Sequence, residues 1–225
     1  MPKFADPKVT ILAATERDPV AAAALLIFTK STRLQMSPGG VEQVLQRCYL
    51  DAAWMKEELS YMAKTIRSSW EFLDVVFLIE NVSRAVAQQI TRTRQASYAM
   101  QSQRVTNVGN ATFSRSKLYS EGLDEAYGEA LNDSLVSYNE LVESGMSLED
   151  ARGVLPMNIQ CNLVAKYNLR TLASLIPART SYRAQGEYQE VARQMKAALY
   201  QMWPWASLFF QPKFSIAESL LDEFV

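Results

Sequence analysis

The chain has 225 residues, 48% of them hydrophobic and 21% charged, with a formal net charge of −1. This length suits one domain over residues 1–225, and the near-neutral balance argues against duplex nucleic acid as a main partner. Histidine is absent, which removes Ser-His and Cys-His nucleophile systems and zinc sites built on imidazole, so an enzyme of this composition leaves its difficult chemistry to a cofactor.

No apolar run approaches the roughly 20 residues that span a bilayer. The opening MPKFADPK lacks the apolar stretch of a signal peptide. Cys48 and Cys161 are too far apart in sequence for a metal knuckle or a CxxC redox pair. A reducing cytoplasm is the simplest setting, and no membrane partner is expected.

Residues 8–13 (KVTILA) read as a β-branched strand. Asp18 before Pro19 caps a helix through residue 28, and residues 29–32 form a polar loop. Ser37-Pro38 opens the next helix, with Val41, Val44, Leu45, Cys48, Tyr49, Ala52 and Met55 recurring at threes and fours as a core-facing stripe. Residues 65–69 are a loop, and 71–81 (EFLDVVFLIEN) a strand buried on both faces. Ser83 caps a helix to about residue 90, the chain leaves the helix over 92–96, and 97–105 is strand-like.

A polar excursion covers 106–118, and an amphipathic helix runs over 121–144 to Gly145. A short turn follows over 146–152, and Leu155-Pro156 breaks the chain. Residues 159–167 read as a strand, and 168–176 as a helix that Pro177 interrupts. The last helix covers 184–200, before a Trp203-Pro204-Trp205 anchor. The expected class is α/β in the broad sense (α+β), a sheet beside long helices.

Residues 82–104 (VSRAVAQQITRTRQASYAMQSQR) carry Arg84, Arg92, Arg94 and Arg104 and no acid. No Asp or Glu occurs between Glu80 and Glu121, although 24 acids in 225 residues put about four in a window of that length. Unpaired cations point to a site for an anion, and arginine suits two-pronged contact with phosphate. A solvated basic surface is the alternative, and charge alone leaves both open.

Arg92-Thr93-Arg94, seven further residues and Ser102 resemble the signature of the flavin-dependent thymidylate synthases. SRAVAQQ resembles that family's lead-in and QSQR its Gln-Ser-x-Arg ending. Downstream, ARGVLP and YNLRTLASLIPARTSYRAQGEYQEVA are similar to the family's C-terminal half.

The resemblance implies a central, mostly antiparallel sheet flanked by long helices, and a homotetramer with each active site built from several subunits. It implies FAD as cofactor, with NADPH and methylenetetrahydrofolate as co-substrates and a uracil mononucleotide as acceptor. Position by position, Arg92, Thr93, Arg94, Ser97, Asn168, Arg170, Glu71, Thr32 and Ser68 would contact flavin. Gln89, Arg92, Met100, Gln101, Ser102, Arg104, Arg152 and Arg179 would line the nucleotide pocket. Arg179, which would polarise the uracil, and Gln89 are the catalytic candidates.

Thr93 stands where the family has His, Ala99 and Met100 replace polar positions, Val105 replaces Tyr, and Ile66 and Phe72 replace His. The anion-holding arginines are kept while the sugar and folate surroundings differ. In this the chain resembles the uridylate methylases of polyoxin-type nucleoside antibiotic biosynthesis, which accept UMP as well as dUMP.

Each assignment has a plainer alternative. Arg170, Arg179 and Glu187 could serve as surface ion-pair residues worth under about 1 kcal/mol each. Ser102 could be a strand hydroxyl, Cys161 a buried small residue, and Tyr98 and Tyr182 packing residues. As a whole, the arginine cluster with Tyr98 could hold single-stranded nucleic acid, or the chain could bind nucleotide without catalysis.

Overall fold

A computed structural model describes residues 2–33, 36, 39–114 and 121–210. The expected helix start at Ser37-Pro38 and the end of the 106–118 excursion lie outside the described residues. The sheet has four strands: β1 (Lys8–Ala14), β2 (Asp74–Ser83), β3 (Ala96–Met100) and β4 (Gln160–Asn168). Their order is β1-β2-β4-β3, and every pairing is antiparallel. β2 and β4 are the inner strands, and each alternates buried with less buried positions. A bulge separates the two register blocks of β2 and β4 between Ile79 and Val82. Asn81 sits there at φ 58°, a left-handed conformation that Asn tolerates better than most residues.

The helices supply the other layer. Asp18 caps α1 (Pro19–Thr29) by accepting the Val20 and Ala21 amides at 2.9 and 2.7 Å. The stripe read as one helix is two, α2 (Gly40–Leu50) and α3 (Ala52–Thr65). Asp51 breaks it at φ −136° and caps α3 through the Trp54 amide at 2.9 Å. The stripe is also narrower than read: within α2 Cys48 is buried, while its neighbour Tyr49, about 100° further round the helix, is exposed.

α3 continues through Thr65 rather than stopping before it, and Arg67–Phe72 is a 3-10 turn. Glu71 therefore precedes the strand and does not open it. β3 ends at Met100, short of the expected 105, because it pairs only with β4 at the sheet edge and the chain then turns over residues 103–105. α4 (Arg84–Ile90) follows β2 directly.

α5 (Glu121–Glu143) ends at Gly145, whose φ of +92° favours glycine. Met146 closes that end by donating its amide to the Leu141 carbonyl at 3.0 Å. With α6 (Leu148–Ala151), α5 covers a small second core of Val108, Phe113, Leu131, Tyr138, Ala151 and Ile159. α7 (Leu169–Thr180) contains Pro177 without stopping, unlike the interruption expected at that residue. Pro177 forfeits one amide donor near the end of the helix, where few bonds remain to be lost.

α8 (Gly186–Met202) packs on α7 and β1. Its end is anchored by Trp203, fully buried and stacked on Trp205 at 5.6 Å. The two indoles donate to the Glu16 and Pro19 carbonyls at 3.0 and 2.7 Å, tying the end of α8 to the start of α1. Among the described residues no helix is long and apolar enough to cross a membrane.

Ser83 joins the sheet to two helices. Its hydroxyl accepts the Val86 amide as the cap of α4 and donates to Glu187 of α8 at 2.7 Å. Its own amide donates to the same carboxylate at 2.6 Å. Ser83→Ala is expected to cost about 1–2 kcal/mol by losing a cap and a charge-assisted bond. Scanning calorimetry should show the melting temperature falling by several degrees, and an unchanged transition would refute the assignment.

Candidate active site

Three separate segments meet at one cleft. The first is the 3-10 turn that follows α3. Trp70 pins it by donating its indole N–H to the Met62 carbonyl at 3.1 Å and packing edge-on against Phe209 at 4.8 Å. Arg67 projects from the same turn, with its guanidinium 5.6 Å from the Trp70 ring centre.

The second is the turn between α4 and β3. The Tyr98 hydroxyl reaches the Ile90 and Thr93 carbonyls, each at 2.9 Å, so its single proton holds a turn that presents Thr93 and Arg94. The third is α7, capped by Asn168, which accepts the Thr171 amide at 2.8 Å. The Thr171 hydroxyl donates to the Gln95 carbonyl at 3.2 Å and fastens the second segment to the third.

The cleft between them has a volume of about 710 Å³. Arg67, Arg94, Arg170 and Arg179 line it, with Trp70 and Phe209 as apolar wall, and none of the described lining residues is acidic. Arg170 is held at the edge by Glu71 at 2.6 Å. Among the described residues no carboxylate pairs with Arg67, Arg94 or Arg179. Among the described residues, four guanidinium groups stand against one nearby carboxylate, a positive concavity suited to a phosphorylated ligand.

The cleft thus gathers Thr93, Arg94, Arg170 and Arg179 from the sequence candidates. Ser68 and Glu71 are exposed on the same 3-10 turn as Arg67, and Asn168 caps α7. Arg92 is exposed beside the cleft turn but is not part of the lining, and Ser97 lies on the exposed face of β3. Thr32 lies in the 3-10 turn Lys30–Arg33 after α1, also outside the lining.

The remaining candidates lie outside the cleft. Gln89 donates to the Gln185 side chain at 2.6 Å. Met100 is half-buried against the main core, and the Gln101 side chain accepts the Asn162 amide at 3.2 Å. Ser102 accepts the Arg104 amide at 3.2 Å. Arg104 forms a two-pronged pair with Glu149 of α6 at 2.7 and 2.9 Å, and Arg152 donates to the Glu149 carbonyl at 3.0 Å. None of these six residues lines the cleft.

Arg67, Trp70, Phe209 and Glu149 were not legible as site residues. Arg67 sat in what looked like an ordinary loop, and Phe209 is brought to Trp70 only by tertiary packing. Cys161 is buried on β4, and burial raises its thiol pKa against the opposing pull of Arg84. It is a poor nucleophile in that setting. Among the described residues no group of three or more His, Cys, Asp and Glu is placed to hold a metal ion.

Comparison with known proteins decides the family. Residues 10–205 match the model of the family described as thymidylate synthase complementing protein. The chain belongs to this family. A flavin-dependent thymidylate synthase of Geobacter sulfurreducens is 31% identical over 193 residues, covering 84% of this chain and 80% of that protein. One from Thermococcus kodakarensis is 34% identical over 131 residues, covering 56% of this chain and 54% of its relative. The crystal structure of the UMP/dUMP methylase PolB from Streptomyces cacaoi, bound with 5-Br dUMP, superposes with a TM-score of 0.76. It is 20% identical and the match covers 93% of this chain and 96% of that one, so the mixed helical and antiparallel fold is shared. The arginine-lined cleft is therefore a feature of a thymidylate synthase complementing protein, and its turn bears Thr93 between Arg92 and Arg94.

Proposed function

We propose that the protein transfers a one-carbon unit to C5 of a uracil mononucleotide, UMP or dUMP, and completes it as a methyl group. The observation that carries this is the cleft in which four arginines converge with no acid among the described lining residues, in a chain of this family. The donors fit the phosphates of FAD, and Trp70 and Phe209 offer an apolar wall to a ring system. When bound, reduced FAD supplies the hydride that completes the methyl, methylenetetrahydrofolate supplies the carbon, and NADPH supplies the reducing equivalents.

The protein's own part is binding and polarisation. Arg94 and Arg170 hold phosphate by charge-assisted hydrogen bonds, with Glu71 fixing the Arg170 fork. Arg179 donates to a uracil carbonyl oxygen and polarises the ring; as C5 bonds to the one-carbon unit, that carbon's bond to the folate nitrogen breaks and the C5 proton passes to water. No imidazole in the chain could remove that proton.

Arg104, Arg152, Ser102 and Gln89 form the nucleotide-facing group. They lie outside the cleft lining of their own chain, which supports a homotetramer in which a neighbouring copy completes each site. A sedimentation measurement on the purified protein reads the assembly directly.

Two assays test the function. Addition of FAD should produce a bound-flavin visible spectrum. With NADPH and methylenetetrahydrofolate, tritium should leave C5 of labelled UMP and dUMP. Acceptance of UMP is the expected result, because Met100 packs on the core where the family pattern puts a polar group near the sugar. Turnover of dUMP with strict rejection of UMP would refute that preference, and a colourless protein that takes up no FAD would refute the enzyme.

Glu149 occupies the Arg104 guanidinium that the nucleotide phosphate would use. Both groups are largely exposed, so the pair is weak and exchangeable. Glu149→Gln should tighten nucleotide binding by roughly threefold to fivefold in a calorimetric titration. Weaker binding would show that the carboxylate orients Arg104 and does not compete for it.

A further inference from the structure

We propose that Tyr188 is a positioning residue for Arg179: its buried ring is the floor under the guanidinium, and its hydroxyl is a neutral acceptor that orients the fork. The proposal rests on the role given to Arg179 above. Tyr188 is the third residue of α8 and is fully buried. The Arg179 guanidinium, from the last turn of α7, lies 4.9 Å from its ring centre. An aromatic face attracts a cation most strongly where water is excluded, and here the ring is wholly inside the protein.

The hydroxyl is the informative atom. It is buried, and among the described residues it completes no hydrogen bond of ordinary geometry, although Arg179 is near enough to act on it. An unpaired buried hydroxyl is costly, and phenylalanine at this position would avoid the cost while keeping the ring. Retaining the oxygen makes sense if Arg179 uses it when the guanidinium turns to meet a ligand. Burial lifts the phenol to a pKa of about 12 against the pull of Arg179, so it is neutral at pH 7. Neutrality is the useful property. Glu71 and Glu149 steady Arg170 and Arg104, but each cancels charge as it does so. A phenol can orient Arg179 and leave its full positive charge for the pyrimidine oxygen.

The test uses the flavin-loaded enzyme and the tritium-release assay. Tyr188→Phe should lower kcat about twofold to fivefold, and Tyr188→Leu about tenfold, with the nucleotide KM and flavin content within about twofold of the parent. The deciding measurement is the same pair of substitutions made in an Arg179→Ala background. There neither should lower kcat further, because the group being positioned is gone.

If the substitutions cost the same factor with and without Arg179, Tyr188 is only a packing residue and the proposal is overturned. If Tyr188→Leu does not fold, the cycle between Tyr188→Phe and Arg179→Ala decides by the same criterion. If Arg179→Ala alone leaves turnover intact, the role of Arg179 fails first and the positioning claim falls with it. That result is distinct from additivity.

Discussion

Arg179→Ala is expected to lower turnover on UMP or dUMP by about 100-fold or more while flavin content is nearly unchanged. Removal of one preorganised donor aimed at developing negative charge commonly costs about 10²–10³ in kcat. Arg179 fits such a donor because it is half-buried, faces the cleft, and has no carboxylate partner among the described residues. Its charge is therefore not already neutralised in the resting protein. Arg179→Lys should recover only part of the loss, since an ammonium keeps the charge without the planar fork. Rate by tritium release and flavin content by visible absorbance separate the two quantities. A parallel fall in both would assign Arg179 to cofactor binding instead.

The second large effect is on cofactor binding. Arg94→Ala should weaken FAD binding by roughly 10-fold to 100-fold, the range of one lost charge-assisted contact to phosphate. Arg94 is carried on the turn that Tyr98 fastens through the Ile90 and Thr93 carbonyls, so little conformational freedom remains to be lost on binding. Arg170→Ala should cost less, because Glu71 already shares that guanidinium. Fluorescence titration with FAD measures both. Raising salt should weaken binding by the parent protein more steeply than binding by Arg94→Ala, since the variant presents one exposed charge fewer. Equal affinities and equal salt slopes would remove Arg94 from the site.

Much of the local structure was legible because its causes are local. Asp18-Pro19 caps α1, Ser83 caps α4, and Gly145 closes the long helix at a positive φ. A single residue type suffices for each signal, and no distant partner is needed. The misplacements have separate causes. The spacing of Val41 to Met55 persists across Asp51, and periodicity does not reveal a turn when the apolar phase carries through it. Glu71 looked like the head of the following strand because Trp70 and Phe72 are as compatible with a strand as with a 3-10 turn. The bond from Trp70 to Met62 decides between them. Pro177 predicts an interruption by its chemistry, yet a helix near its end has few bonds left to lose.

The candidate site divides in the same way. By itself the sequence determined that cations without local acids lie between Glu80 and Glu121, that no imidazole is available, and that the motif blocks carry the family signature. These are properties of composition and order, which survive without coordinates. Only the tertiary structure decided which arginines share a cleft. Arg67, Arg94, Arg170 and Arg179 come from three segments of the chain and meet because Tyr98, Thr171 and Trp70 fasten those segments together. Arg104 and Arg152 gather at Glu149, outside the cleft lining. Convergence of this kind depends on packing between residues distant in sequence, and one-dimensional order carries no direct record of it.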